Sequence, residues 1–247
     1  MAPIQLFDPA SSTYTYLLFD PDTREALIID PVQEQLQRDM DTLRQFGLRL
    51  VWSVETHAHA DHITSAGQLA ELAGAKTAAP AGCGITTASQ QLVHGAELRF
   101  GRHTLLALHT PGHTEDHLCL FDPEAGVMLC GDHVLPTITP HISGMSSQPD
   151  PLNGFFESLD KVGAFGSQVK VSLPAHGKPF TNLAQRCEEI KTHHIGRLDK
   201  LRTTAAAFDK PATVTEFSGH LFSPRAQGTM ADSETFAHLE HLRIAGE

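Results

Sequence analysis

Residues 55–74 read ETHAHADHITSAGQLAELAG, which crowds His57, His59, Asp61 and His62 into six consecutive positions. Little else in the sequence restricts the possible fold so sharply. Alternate residues of an extended strand end project the same way, so His57, His59 and Asp61 can converge while His62 points elsewhere. The cluster follows LRLVWSVET, a strand pattern, and precedes a helical one, so the chain must hold it on a loop at a rigid strand end. With 16 His and 15 Asp in 247 residues, HxHxDH arises by chance in roughly four chains per thousand. Imidazole and carboxylate are the ligand types of zinc and iron sites. Metal binding is therefore the functional reading, and coincidence in a histidine-rich chain the alternative.

The surrounding pattern is mixed. YTYLLF and EALIID read as a hairpin across the turn DPDTR. Val32, Leu36, Met40, Leu43 and Phe46 keep helical spacing, with Gly47 as the stop. After the histidine cluster, Ile63, Ala66, Ala70 and Ala73 mark one face of a helix ending at Gly74. KTAAPAG is a strand running into a turn, followed by a less regular stretch through Leu92. AELRFGRHTLLALHTPG, HLCLFDPEAGVMLCGD and VKVSLPAHG supply further strands, and each of the last three ends on a histidine or aspartate loop. From about Asn182 the pattern turns helical. LAQRCEEIKTHHIGRLDKLRTTAAAF reads as one long helix with Gly196 as its weak point, ATVTEFSGHLF as a short helix, and ETFAHLEHLRIAG as a last helix capped by Asp232 or Ser233. This organisation places a catalytic domain at 1–181 and a helical extension at 182–247.

Composition narrows the partners. The formal charge of −11 disfavours general attraction to nucleic acid or anionic membranes. Residues 182–247 carry eight Lys or Arg against nine Asp or Glu, so a DNA-binding reading of the tail has no electrostatic footprint. A lid or a homodimer surface is the expected role. No apolar run approaches the ~20 residues of a membrane span. Cys83, Cys119, Cys130 and Cys187 form no CxxC pair and are expected as reduced thiols packed in the core. The first residues show no signal peptide pattern, so the expected location is cytoplasmic and the expected partner a small-molecule substrate.

The order THxHxDH, then GHT at His113, GD at Asp132 and AHG at His176 resembles the metallo-β-lactamase-fold superfamily over roughly residues 4–180. That resemblance implies a four-layer αβ/βα sandwich. It implies a first metal held by His57, His59 and His113, a second by Asp61, His62 and His176, and Asp132 bridging both. Asp30 matches a position that supports the ligand shell. The implied cofactors are two divalent ions, with zinc expected and iron or a mixed iron–zinc pair as the alternative. Asp61 and Asp132 are the candidate catalytic carboxylates, and His141, in TITPHISG, is a candidate for the substrate pocket.

Two subfamilies are resembled at once. FDPASSTYTYLLFDPDTREALIIDPV and ETHAHADHITSAG look like persulfide dioxygenases, relatives of glyoxalase II that use one iron on the positions of His57, His113 and Asp132. The dioxygenase stretch CGRTDFQ is absent after the GD aspartate. GDHVLPTITPHISGMSSQPDPLNGFFESL, the LPAHGKPF loop and the tail instead resemble hydrolases with a winged-helix-like extension. The leading expectation is a metal-dependent hydrolase of a thioester or other activated ester or lactone. An iron persulfide dioxygenase is the first alternative and a phosphodiesterase or ribonuclease the second. His109, His117 and His133 flank the motifs as supporting residues or ordinary strand-end histidines. His193 and His194 read as solvated or packing residues.

Overall fold

The structure is a computed structural model that describes residues 3–247. Strands β1 (Ile4–Asp8), β2 (Thr13–Phe19), β3 (Glu25–Ile29), β4 (Arg49–Val54), β5 (Lys76–Pro80) and β6 (Gln90–Leu92) form one sheet in sequence order. Strands β7 (Glu97–Phe100), β8 (His103–His109), β9 (Leu118–Asp122), β10 (Val127–Gly131) and β11 (Val171–Pro174) form a second, in the order β11-β10-β9-β8-β7. The hairpin β2–β3 pairs Leu18 with Leu27 as expected. β3, β4, β5 and β6 then run parallel, which requires a crossover connection before each of the last three strands. Those crossovers include α1 (Leu36–Gln45) and α2 (Ala66–Ala73).

Period-two alternation explains the layering. Leu18, Leu27 and Ile29 face the second sheet and join Leu105, Leu120 and Leu129 in a central core. Their neighbours Leu17, Ala26 and Ile28 face outward onto Leu43 of α1 and Leu69 of α2. In the second sheet, Cys119, Phe121, Met128 and Cys130 face outward and are covered by Phe155, Leu159 and Val162 of α3 (Pro151–Gly163). Helix, sheet, sheet, helix is the four-layer αβ/βα sandwich anticipated from the sequence. Removing a fully buried ring such as Phe155 would cost about 3–5 kcal/mol.

α4 (Leu183–Ala207) runs unbroken through Gly196, followed by α5 (Val214–Leu221) and α6 (Thr229–Ile244). Leu183, Cys187 and Ile190 of α4, and Ala237 of α6, lie in the same apolar cluster as Phe121 and Phe155. After β11 all described elements are helices, so no wing hairpin is formed. Among the described residues, no helix is long and apolar enough to cross a membrane.

Several local expectations are corrected. Ile63 lies before α2 and is 64% exposed, because the loop at 55–65 has not yet entered the helix. α6 starts at Thr229, ahead of Asp232 and Ser233, with Gly228 at its cap. Ser233 is thereby free to bond elsewhere. α3 escaped the periodicity reading, although Asp150 caps it by accepting from the Asn153 N–H and Pro151 opens it, a recognisable start signal. Cys83 is only half-buried on a loop, whereas the other three cysteines are buried.

Candidate metal centre

The site is assembled from loops at one edge of the sandwich, and each ring is turned by a particular partner. β3 ends at Asp30, whose φ of 51° is a left-handed conformation uncommon outside glycine. There its carboxylate accepts from the Thr56 N–H at 2.7 Å and the Thr56 hydroxyl at 2.8 Å. Thr56 Oγ1 in turn accepts from His57 Nδ1–H at 2.9 Å, leaving Nε2 of His57 with its lone pair. His59 is reversed. Its Nε2–H reaches Asp30 (3.1 Å) and Glu55 (2.9 Å), so Nδ1 is the free atom. Fixing the tautomer through the second nitrogen is the usual support of a metal-ligating histidine.

The other strand-end loops complete the set. His113 donates Nδ1–H to the His141 carbonyl (3.0 Å), which directs Nε2 to within 3.4 Å of Asp132 Oδ2. His57 Nε2 lies 4.0 Å from the same oxygen. His176 donates Nδ1–H to the Ser12 carbonyl (2.9 Å), and its Nε2 lies 3.4 Å from Asp132 Oδ1 and 3.8 Å from Asp61 Oδ2. His62 donates Nδ1–H to Asp61 at 3.1 Å. Gly131, before Asp132, has a φ of 49°, and a Cβ there would lie 2.5 Å from His117 Nε2. Only glycine lets the chain pass so close, and the Asp132 N–H donates to that nitrogen at 3.1 Å.

The seven anticipated ligand residues thus gather at one edge, with a difference in grouping. Ligand atoms of His57, His113 and Asp132 lie within 4.8 Å of one another, and so do those of His59, Asp61 and His62. The resemblance places His59 with His57 and His113. The grip of Asp30 and Glu55 on its Nε2 instead turns its free nitrogen toward Asp61, 4.0 Å away. His141 contributes a backbone carbonyl at the site, while its ring faces Glu234 of α6 at 3.5 Å.

The residues fit metal ions. Asp132 Oδ1 is buried with His176 Nε2 3.4 Å away, and His62 Nε2 is buried with no hydrogen-bond partner, a costly state for a polar atom unless a cation or water meets it. Burial, with the neighbouring imidazoles, holds His57 well below the ordinary histidine range, so its lone pair is available at neutral pH. Hydrogen bonding to Asp132 draws His176 up to about 9 despite burial. Burial works against a charged His59, but Asp30 and Glu55 outweigh it and hold the ring above its usual range. Ions entering here must displace those protons. Burial also opposes a charged Asp61, yet its His62 contact brings it down to about 2.

Glu55, Thr56 and the Ser12 carbonyl were not anticipated. Glu55 immediately precedes the histidine cluster, and nothing in residue type or spacing separates it from a solvated carboxylate; the Ser12 carbonyl leaves no side-chain signal at all. His117 flanks the site as a support, while His133 is buried with neither ring nitrogen bonded and His109 donates to the Glu115 carbonyl at 2.8 Å. A cavity of about 300 Å³ opens beside His113, lined by Cys83, Thr114, Asp116, Ser143 and Met145 among others.

An αβ/βα sandwich that gathers histidines and carboxylates at its strand-end edge defines a class of metal-binding proteins. A sequence model of the Metallo-beta-lactamase superfamily matches residues 89–202. The solved ETHE1 from Myxococcus xanthus is 32% identical, with 77% of this chain and 83% of that one covered and a TM-score of 0.65. The chain belongs to the metallo-β-lactamase superfamily. The human mitochondrial persulfide dioxygenase ETHE1 is 39% identical over 54% of this chain and 54% of its own length. A hydroxyacylglutathione hydrolase of Francisella philomiragia is 27% identical over 69% of this chain and 65% of its own. The chain therefore spans about half the length of the curated dioxygenases it matches. A beta-lactamase domain protein from Burkholderia ambifaria shares the fold over 99% of this chain and 87% of that one, at 24% identity and a TM-score of 0.84.

Proposed function

We propose that the protein is a dinuclear metal-dependent hydrolase of a small thioester or other activated ester or lactone. The observation that carries this reading is the division of Asp132. Its Oδ2 faces His57 and His113, and its Oδ1, without any other partner, faces His176. A carboxylate with one oxygen turned to each of two imidazole sets is arranged to bridge. His57, His59, His113, Asp61, His62, Asp132 and His176 would hold the ions, with zinc favoured by the ligand types. Bound there, divalent ions supply a hydroxide at neutral pH and polarise a carbonyl oxygen.

The chain's own residues supply the rest. Asp132 fixes the separation of the two histidine sets. Asp61, kept ionised at neutral pH, accepts a hydrogen bond from the attacking water and orients it toward the carbonyl carbon. The water oxygen adds to that carbon as one of its protons passes to solvent, the C–S or C–O bond breaks, and the thiol or alcohol takes the other proton, leaving a carboxylate. The cavity beside His113 receives the substrate. The net charge disfavours a polyanionic partner, and nucleic acid is not the substrate we propose.

A second reading has its own support. His57, His113 and Asp132 form a compact group of two histidines and one carboxylate, the donor set of mononuclear iron oxygenases, and the persulfide dioxygenase relatives are the more similar in sequence. Elemental analysis of the purified protein, paired with thioester hydrolysis and with oxygen uptake on glutathione persulfide, separates the two. Two zinc ions per chain with thioester turnover are expected. A single iron with oxygen consumption would overturn the hydrolase reading.

A further inference from the structure

Five imidazoles face the centre, and four are turned by groups of the sandwich or of their own loop: Thr56, the pair Asp30 and Glu55, Asp61, and the Ser12 carbonyl. His113 differs. Its Nδ1–H is accepted by the carbonyl of His141, on the loop between Asp132 and α3. That loop has no secondary structure of its own, and the helical tail pins it. From α4, Arg186 donates Nε–H to the Leu135 carbonyl (2.7 Å) and Nη2–H to the Ile138 carbonyl (2.9 Å). From α6, Ser233 Oγ accepts from the Gly144 N–H at 3.1 Å. Glu234, the next residue, lies 3.5 Å from the His141 ring and is itself held by Arg197 of α4. Ile142 is fully buried in the cluster that contains Ala237 of α6. Gly144 approaches α6 so closely that a Cβ there would lie 2.4 Å from the Ser233 carbonyl.

We infer that Glu234, together with Arg186, is a positioning residue for His113: the helical tail holds the 133–146 loop so that the His141 carbonyl keeps His113 Nε2 aimed at Asp132. The tail supplies no ligand, yet it fixes the aim of one. Groups that orient a metal-ligating histidine through its second nitrogen are commonly worth 10–100-fold in metal affinity. Glu234 and Arg186 act one contact further out, through a carbonyl, and both bear on the same loop from separate helices. The inference rests on the metal-centre reading above, deepens it, and does not depend on whether one ion or two are held.

The test uses the full-length protein stripped with a chelator and reloaded with Co(II), whose visible absorption reports ligand geometry without turnover. Affinity is read by competition with a coloured chelator. Glu234→Ala is expected to bind Co(II) about 10-fold more weakly or worse, with an altered absorption band, while Glu234→Gln, which keeps an acceptor for His141, recovers most of the loss. Arg186→Met preserves side-chain length and is expected to weaken binding by several-fold, and it carries the test if Glu234→Ala fails to fold. Unchanged affinity and unchanged Co(II) absorption in folded variants would overturn the inference while leaving the hydrolase reading intact. A parent protein that binds one ion, or that lacks thioesterase activity, would sink the hydrolase reading but leave the positioning measurement in force. A parent that takes up no Co(II) overturns both.

Discussion

The strand-end cluster around Asp132 and the helical cluster of His194, Glu234 and His238 contain the same kinds of side chain, and in each the potential ligand atoms lie within 4.8 Å of one another. What separates them is how each nitrogen is already employed. At the strand ends, His57, His59, His113 and His176 each spend one nitrogen on a supporting group and leave the other directed at a carboxylate oxygen. In the tail, His238 donates Nδ1–H to the Glu234 carbonyl at 2.7 Å and its Nε2 meets His194 Nδ1 at 3.0 Å. The Glu234 carboxylate is engaged by Arg197 and His141. Phe155 and Phe156 wall His194 edge-on. One cluster points its lone pairs at a common centre; in the other, three of the four imidazole nitrogens are taken up by hydrogen bonds within the tail, and His194 Nε2 is buried without a partner. Ligand residue types and proximity are therefore not enough; free lone pairs must converge.

The largest expected effect of breaking that contrast is at Asp132. Asp132→Ala removes a carboxylate whose Oδ2 faces His57 and His113 and whose Oδ1 faces His176. Turnover of a thioester substrate should fall by roughly 10³-fold or more, corresponding to about 4 kcal/mol of barrier. Elemental analysis should find less metal bound. A variant with near-parental rate and metal content would refute the bridging assignment.

Next in size is His176→Ala, which strips Asp132 Oδ1 of its imidazole neighbour. The expected outcome is loss of one of two ions, with the ion at His57 and His113 retained, and a hydrolytic rate lowered on the order of 10²-fold. Full activity with one iron in this variant would favour the dioxygenase reading instead.

The contrast also explains what was legible in the sequence. His57, His59, Asp61 and His62 announce themselves because strand-end ligands must be close in sequence, and the layer order follows from period-two strands alternating with helical stretches. His113, Asp132 and His176 stand on separate strand-end loops, a position that marks them as candidates, and the resemblance assigns each to a metal. The direction each ring takes was not legible, because it depends on Thr56, Glu55 and the carbonyls of Ser12 and His141, brought in by tertiary folding. The burial of His194 was equally hidden. Lys191 and Arg197 flank it along the chain, and the docking of both α3 and α6 encloses it.

A smaller effect should come from acidifying the tail cluster. Burial holds His194 well below the ordinary histidine range and His238 at about 4, with Arg197 and the neighbouring histidines acting in the same direction. Both rings take up a proton near pH 6.5 in the unfolded chain. Between about pH 4 and 6.5 the unfolded state thus binds more protons, so stability rises with pH and is lost as pH falls through that window. Each ring contributes up to about 1.4 kcal/mol per pH unit there. Urea midpoints of the metal-free protein at pH 7 and 5.5 should drop less in a His194→Gln/His238→Gln variant than in the parent. An identical drop would mean the pair is not buried neutral.

The smallest expected effect sharpens the comparison by a single residue. His193 adjoins His194 in α4, and its ring centroid lies 5.4 Å from that of its neighbour. The helix turns about 100° per residue, so one of the two faces α6 and the other faces outward. His194 is fully buried, while His193 is exposed and accepts no hydrogen bond from the tail cluster. Exposed substitutions away from caps, cores and networks stay within about 0.5 kcal/mol. Alanine is also the better helix former, offsetting by a few tenths of a kcal/mol whatever contact is lost. His193→Ala should therefore leave the urea midpoint at pH 7 and the bound metal where they are in the parent. A loss of more than about 1 kcal/mol would place His193 inside the network, and the tail cluster would then be larger than His194, Glu234 and His238.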